Sequence, residues 1–303
     1  MRVRVRVPAS SANLGPGFDA LGLALALHNQ VIAEEADHVR VTIEGEGAGR
    51  LAVNERNVVA RGVGLAYEAA GRRFRGCTLR CVNRIPLARG LGSSAAAWVG
   101  GLVAGNGLIG APLDRAALLA LAARAEGHPD NVAAALLGGL TVSCTGTDEV
   151  RAVTLPVPAN LAWVVLVPEV TSSTAAARAV LPAKVSRADA VFNVQRVAML
   201  LAALQTGRAE ALRTALEDRL HEPYRLTLFP WMPDVAAAAR KAGALGCVLS
   251  GAGPSLLAVA NAAESEPVAR AMEAALRRAG IDGSANALAV DEEGAVTSIE
   301  GGA

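Results

Sequence analysis

The chain has 303 residues, a formal net charge of +1, 52% hydrophobic residues and 19% charged ones. A nearly neutral balance gives no electrostatic basis for a nucleic-acid partner, and so much apolar side chain excludes a disordered protein. The length suffices for two domains of ordinary size with well-buried cores.

The opening MRVRVRVP alternates Arg with Val, which predicts a strand with valines on one face. No apolar h-region follows it, so a signal peptide is not expected. Residues 20–34 and 38–44 continue in strand-like fashion, and 57–70 read as a helix with Asn57 as its N-cap. Residues 77–85 alternate again and end at Pro86. Cys77 and Cys81 then share one strand face, where residues of the same strand cannot bridge. With Cys144 and Cys247 they read as small buried hydrophobes in a reduced cytosol, and a cytoplasmic protein is expected.

A glycine- and serine-rich turn follows, leading into an apolar helix over 93–104. The stretch 95–113 is long enough to span a bilayer, but its glycines, Asn106 and Pro112 and the lack of a basic flank favour a buried helix followed by a turn. No membrane contact is expected. A helix over 114–126 is capped by Asp114, and NVAAALLGGL is a third helical piece closing on Gly138 and Gly139 before the strand LTVSCT.

The polar segment 146–160, with Pro156 and Pro158, divides the chain into domains 1–152 and 153–303. Beyond it come the buried strand LAWVVLVP and helices over 185–206, 209–221 and 233–242. A strand–loop–strand unit, CVLSGAGPSLLAVA, a helix over 264–279 and a closing strand NALAVD complete the order. The pattern predicts a two-domain α+β chain rather than a doubly wound sheet.

Three clusters of small residues stand out: PASSANLGPGFDALG (8–22), PLARGLGSSAA (86–96) and SGAGPS (250–255). A fourth, AEGHPDN (125–131), gathers Glu126, His128, Asp130 and Asn131 between two apolar helices. The second cluster opens a helix, where backbone N–H groups without helical partners favour a phosphate. Helix capping by Ser93 and Ser94 is the plainer reading of the same residues. The common phosphate loop carries a lysine that is missing here, and the GLG lacks the third glycine and acidic partner of a dinucleotide-binding turn.

Together these clusters resemble the GHMP kinase superfamily, whose phosphate loop is matched by Pro86, Gly90, Leu91, Gly92, Ser93, Ser94, Ala95 and Ala96. Within it, SSANLGPGFDALGLAL, EGHPDNVAAALLGG and SGAGPSLLA are similar to signatures of the homoserine kinases. The resemblance runs from about residue 3 to beyond residue 255. It implies an N-terminal ribosomal-protein-S5-like nucleotide-binding domain and a C-terminal ferredoxin-like domain. It further implies ATP and Mg²⁺, with L-homoserine as the small-molecule acceptor. A homodimer is left open.

The resemblance places nucleotide contacts on Asn57 and Val58 in ERNVVARG and on Pro86, Arg89, Gly90, Leu91, Gly92, Ser93, Ser94 and Ala95. Asn57 is equally readable as a plain helix cap. The metal falls to Ser94 and Glu126. Asp19, with Asn13 nearby, suits an ammonium group, while Arg178 and Arg225 offer guanidinium forks for a carboxylate. His128 and Thr174 are further acceptor contacts. Asn131 is expected to hold the acceptor hydroxyl without acting as a base. Asp130, one helical step of about 100° away, is expected to turn elsewhere. The alternatives are a GHMP kinase acting on mevalonate or a sugar, and a non-catalytic nucleotide sensor on the same fold.

Overall fold

The computed structural model describes residues 1–146 and 149–300. Residues 147 and 148 of the polar segment, and the last three of the chain, lie outside the described residues.

The alternating opening forms β1 (Arg2–Ala12), whose Val3, Val5 and Val7 are fully buried while the intervening arginines face outward. It pairs antiparallel with the long β2 (Leu21–Glu35), with a bulge between Pro8 and Ala9. After β3 (Arg40–Gly45), helix α1 (Val58–Ala69) crosses to β4 (Cys77–Asn83), which lies parallel to β3. Asn57 caps α1, its Oδ1 accepting from Val59 N–H at 2.9 Å.

Helix α2 (Ser93–Leu108) is buried on almost every side, packed against α1 and the face of β1 and β2. Its small residues permit that depth: a Cβ on Gly101 would lie 2.2 Å from the Val59 carbonyl of α1. The apolar run 95–113 is thus interior helix and turn. Among the described residues no helix is long and apolar enough to cross a membrane. Helix α3 (Arg115–Glu126) starts at Asp114, whose side chain accepts from Ala117 N–H, and stops at the left-handed Gly127. Helix α4 (Asp130–Leu137), β5 (Leu140–Thr145) and β6 (Val150–Leu155) follow.

The 152/153 division falls inside β6, which pairs with β5 along its whole length and belongs to the first, seven-stranded sheet. That sheet runs β11-β1-β2-β4-β3, with β5 on the other half of β2. Its edge strand β11 (Val296–Glu300) comes from the far end of the chain and pairs with β1. The last strand is therefore β11 and not NALAVD. Residues 289–291 of that stretch instead bond to Ala24, Ala26 and Gly139.

The second sheet has the order β10-β7-β9-β8, built from β7 (Leu161–Pro168), β8 (Gly246–Leu249), β9 (Leu256–Asn261) and β10 (Gly283–Leu288), all antiparallel. Helices α9 (Met232–Lys241) and α10 (Ser265–Arg278) cover one face, which is the βαββαβ ferredoxin-like arrangement. Between β7 and α9 lie α5 (Thr174–Ala179), α6 (Arg187–Thr206) and two short helices, α7 (Leu212–Ala215) and α8 (Glu222–Arg225). Leu200 and Leu204 of α6 and Leu212 of α7 join the other face of this sheet to the main core.

The helix expected over 209–221 is interrupted. Asp218 accepts from the backbone N–H groups of Leu220, His221 and Glu222 at 2.8–3.0 Å, which turns the chain before α8 begins. Glu222 then buries its carboxyl, which accepts from Leu249 N–H at 2.6 Å. Burial pushes this group up to about 8 from its ordinary 4.5, against the Leu249 hydrogen bond. A carboxyl raised on folding binds more protons in the folded state than in the unfolded one. Its contribution to stability is therefore full below about pH 4.5 and is lost as pH rises toward 8. Thermal melts between pH 5 and 8.5 are expected to show a steeper alkaline decline for the wild type than for Glu222→Gln; parallel curves would contradict this.

Candidate active site

The phosphate-loop cluster forms a tight turn between β4 and α2. Gly92 adopts a left-handed φ of +67°, and a Cβ there would lie 2.0 Å from Ser10 Oγ, so only glycine fits. The first helical bond of α2 joins Ala96 N–H to the Gly92 carbonyl. The N–H groups of Ser93, Ser94 and Ala95 consequently have no intrahelical acceptor and sit at the positive end of the helix dipole. Neither serine caps the helix: the cap residue is Gly92 and no side chain bonds the first turn. Ser94 Oγ instead donates to Glu126 Oε2 at 2.8 Å.

The SGAGPS loop clips this turn to β1. Ser250 Oγ lies 2.7 Å from the Gly90 carbonyl and 2.8 Å from Ser11 Oγ, and Gly251 N–H donates to the Ala12 carbonyl. Three clusters far apart in sequence thus become one rigid wall. Ser10, Ser11 and Ser250 build it, a role their positions in the chain did not announce.

Beside the turn is a small polar cavity of about 100 Å³. It brings together Asn13, Asp19, Ser94, Glu126, His128, Asp130, Asn131, Thr174, Arg178 and Arg225. Asn131 Oδ1 accepts from Ser10 Oγ at 2.8 Å, which leaves its Nδ2 without a protein partner among the described residues. Asp130 also lines the cavity, contrary to the helical-step argument. It opens α4, and its Oδ1 folds back to accept from Asn131 N–H and from His128 Nδ1, both at 2.7 Å.

Two acceptor residues differ from expectation. Arg178 is not a free fork: its Nη1 and Nη2 grip Asp19 at 3.1 and 2.6 Å. Arg225 is only 2% exposed, and among the described residues no carboxylate hydrogen-bonds to it. Its Nε donates to the Ala177 carbonyl at 3.2 Å, and its Nη1 reaches the Gly251 carbonyl and His221 Nδ1, both at 3.0 Å. Only the two N–H groups of Nη2 remain, so a bidentate fork is not available. Asn13 is likewise engaged, donating to the Gly251 carbonyl and accepting from Asp19 N–H. It shapes the loop that carries Asp19. Phe18, unremarked in the sequence, lies 5.6 Å beneath both guanidinium groups and stacks on His221 at 5.2 Å.

The charges of the cavity act on one another. Burial raises the Glu126 carboxyl, more than the Ser94 hydrogen bond and the His128 charge lower it. Burial works against a charged His128, yet the hydrogen bond and charge of Asp130, with Glu126, outweigh it and raise this imidazole. Burial and then the neighbouring Arg178 lower Arg225. Asp19, Asp218 and Glu222 pull the other way without bonding to it, and a buried guanidinium whose hydrogen bonds go to neutral groups can still receive an anion.

A second cavity, about 390 Å³ and mainly apolar, opens on the other side of the turn. Val31, Ile43, Leu51, Val58, Cys81 and Leu87 line it, with Asn57 at its rim. Of its lining, Asn57, Val58 and the turn residues Ser93 and Ser94 were expected nucleotide contacts, whereas the apolar wall of Val31, Ile43, Leu51, Cys81 and Leu87 was not legible in the sequence. The Asn57 amide is engaged by its cap and by the Ala52 carbonyl at 2.7 Å, so it contributes position more than a free polar group. The two cavities meet at Ala88, Ser93, Ser94, Ser172 and Thr174. Gly90, Leu91, Gly92 and Arg89 line the polar cavity. Pro86 does not: it faces a separate hollow beside β7 and β10. The Ala95 side chain is fully buried, so only its N–H is directed to the turn.

The chain matches the GHMP kinases N terminal domain over residues 57–139 and the GHMP kinases C terminal domain over residues 200–278. The homoserine kinase of Moorella thermoacetica is 47% identical over 292 residues, covering 96% of this chain and 98% of its own. That of Trichormus variabilis is 44% identical, covering 97% and 98% respectively. The crystal structure of homoserine kinase from Cytophaga hutchinsonii superposes with a TM-score of 0.90 at 33% identity, over 98% of this chain and 97% of that one. The phosphomevalonate kinase of Streptococcus pneumoniae shares the fold at a TM-score of 0.69 and 13% identity. With the two sheets, the glycine turn and the paired cavities in place, the chain belongs to the homoserine kinase family of the GHMP kinases.

Proposed function

We propose that this chain transfers the γ-phosphoryl group of ATP to the side-chain hydroxyl of L-homoserine, as a cytoplasmic enzyme. The observation that carries the reading is the meeting of an apolar cavity and a polar one at the N-terminus of α2. Adenine suits the first and a small zwitterion the second, with the triphosphate crossing between them at Ser93 and Ser94. The free, buried thiols of Cys77, Cys81 and Cys247 agree with a reducing compartment, while Cys144 is free but exposed, against the expectation that all four are buried.

The phosphates rest on the N–H groups of Ser93, Ser94 and Ala95, where backbone donors and the helix dipole replace the missing lysine. Nη2 of Arg225 takes the homoserine carboxylate, and Asp19, held by Arg178, takes the ammonium. Asn131 Nδ2 donates to the acceptor hydroxyl oxygen and aligns it with the γ-phosphorus. The oxygen forms the new P–O bond as the bond to the β-phosphate breaks, and the hydroxyl proton passes to a phosphoryl oxygen. Positioning and charge stabilisation then do the catalysis, which suits a loose phosphoryl-transfer transition state.

Mg²⁺ fits the donor set. Ser94 Oγ and Glu126 Oε2, 2.8 Å apart, would give it two hard oxygens. Among the described residues no cluster of three His, Cys, Asp or Glu side chains is present to cage a metal by itself. When bound, the ion would supply positive charge to neutralise the transferring phosphoryl group.

The reading is tested on the product. With ATP, magnesium and homoserine, phosphorus NMR is expected to show a phosphomonoester signal split to a triplet by the adjacent methylene, in step with ADP. ADP and free phosphate without that signal would contradict it.

A further inference from the structure

Arg225 is held by a histidine whose protonation the hydrogen bonds determine. His221 is completely buried in the short segment before α8, four residues ahead of Arg225. Its Nε2 lies 2.8 Å from the Gly15 carbonyl, which can only accept, so Nε2 carries the hydrogen. Its Nδ1 lies 3.0 Å from Arg225 Nη1, which can only donate, so Nδ1 carries none. The ring is therefore the neutral Nε2–H tautomer. Asp218 sits 3.7 Å from Nε2, and Phe18 stacks on the ring. Burial and the Arg225 charge lower its pKa, which keeps the ring neutral.

The consequence lies in the donor count of Arg225. One Nη1 hydrogen goes to Gly251 and the other to His221, while Nε goes to Ala177. Without the imidazole, one Nη1 hydrogen is orphaned in a buried site and the guanidinium is free to turn about its remaining bonds. We propose that His221 is a positioning residue which, as the neutral Nε2–H tautomer, locks Arg225 so that only its Nη2 edge faces the acceptor cavity and selects substrates bearing a carboxylate. This rests on the reading that Arg225 binds the homoserine carboxylate.

Two substitutions separate the two bonds of the ring. Asn places an amide oxygen where Nδ1 stood and keeps the acceptor for Arg225. Gln places its NH₂ where Nε2 stood and keeps only the bond to Gly15. The probes are homoserine and 3-aminobutan-1-ol, which has a methyl group in place of the carboxylate. His221→Gln is expected to raise the homoserine KM about tenfold, with the ATP KM and kcat within about twofold. Its kcat/KM for 3-aminobutan-1-ol is expected to stay at the wild-type level. His221→Asn should recover most of the homoserine loss.

Equal losses on both acceptors, or equal damage in Asn and Gln, would overturn the proposal and mark the ring as packing alone. If the wild type itself does not prefer homoserine to the methyl analogue, the Arg225 reading fails first. If it does and His221→Gln keeps that preference, only the positioning role fails. Should the variants not fold, nitrogen-15 NMR of the intact protein, which has four histidines, still decides: a buried neutral Nε2–H ring is expected. A protonated or Nδ1–H ring would overturn the assignment.

Discussion

Arg225→Ala is expected to raise the KM for homoserine about 10–100-fold while the KM for ATP changes little. A hydrogen bond to a charged group contributes about 1.5–3 kcal/mol, and each 1.4 kcal/mol is tenfold. The effect is large because this guanidinium is almost wholly buried and its hydrogen bonds within the protein go to neutral groups. Arg178 cannot substitute for it, being closed on Asp19. The substitution also strips the Gly251 and Ala177 carbonyls and His221 Nδ1 of a donor. A lower melting temperature is therefore expected beside the kinetic effect. Steady-state kinetics with both substrates varied checks the claim, and equal small changes in the two KM values would contradict it.

Glu126→Gln is expected to act on the other substrate. It lowers kcat about 10²–10³-fold, in the range found when one group stabilising transition-state charge is removed. The homoserine KM should move little. The amide keeps an oxygen for Ser94 Oγ, so the fold of the turn is conserved while the charge that holds a cation is lost. The magnesium concentration for half-maximal rate should rise as well. A magnesium titration with unchanged kcat and midpoint would remove Glu126 from the metal site.

These two residues show what the sequence discloses and what it withholds. The glycine turn at 90–94 was legible because its chemistry is backbone chemistry: a left-handed Gly92 and a helix start give N–H donors from local sequence alone. The cap residues Asn57 and Asp114 were legible for the same reason, since each acts on amides two or three residues ahead. The state of a guanidinium is a different matter. Asp19 and Arg178 are 159 residues apart, and only the fold closes one on the other. The fork of Arg225 disappears into carbonyls of Ala177 and Gly251, which carry no side-chain signal. The i, i+4 spacing of His221 and Arg225 was the one available hint of their contact.

The same distinction holds for the fold. The strand β1 announces itself by alternation, with one face fully buried. Strand β11 is exposed along its whole length, so no apolar period marks it, and it exists because β1 offers it an edge. The break in 209–221 came from Asp218 capturing three backbone amides, a local bond that competes with a helix without altering the hydrophobic pattern.

If the polar cavity beside Ser94 receives homoserine and the apolar one receives ATP, the choice of acceptor decides whether ADP is released. ADP release, followed by a coupled assay with magnesium and ATP, compares homoserine, mevalonate and galactose as acceptors in one experiment. Release is expected to depend on homoserine and to stay near background with the other two. Release driven as well by mevalonate or galactose would contradict the acceptor assignment, and no acceptor-dependent release at all would point to a nucleotide sensor on this fold.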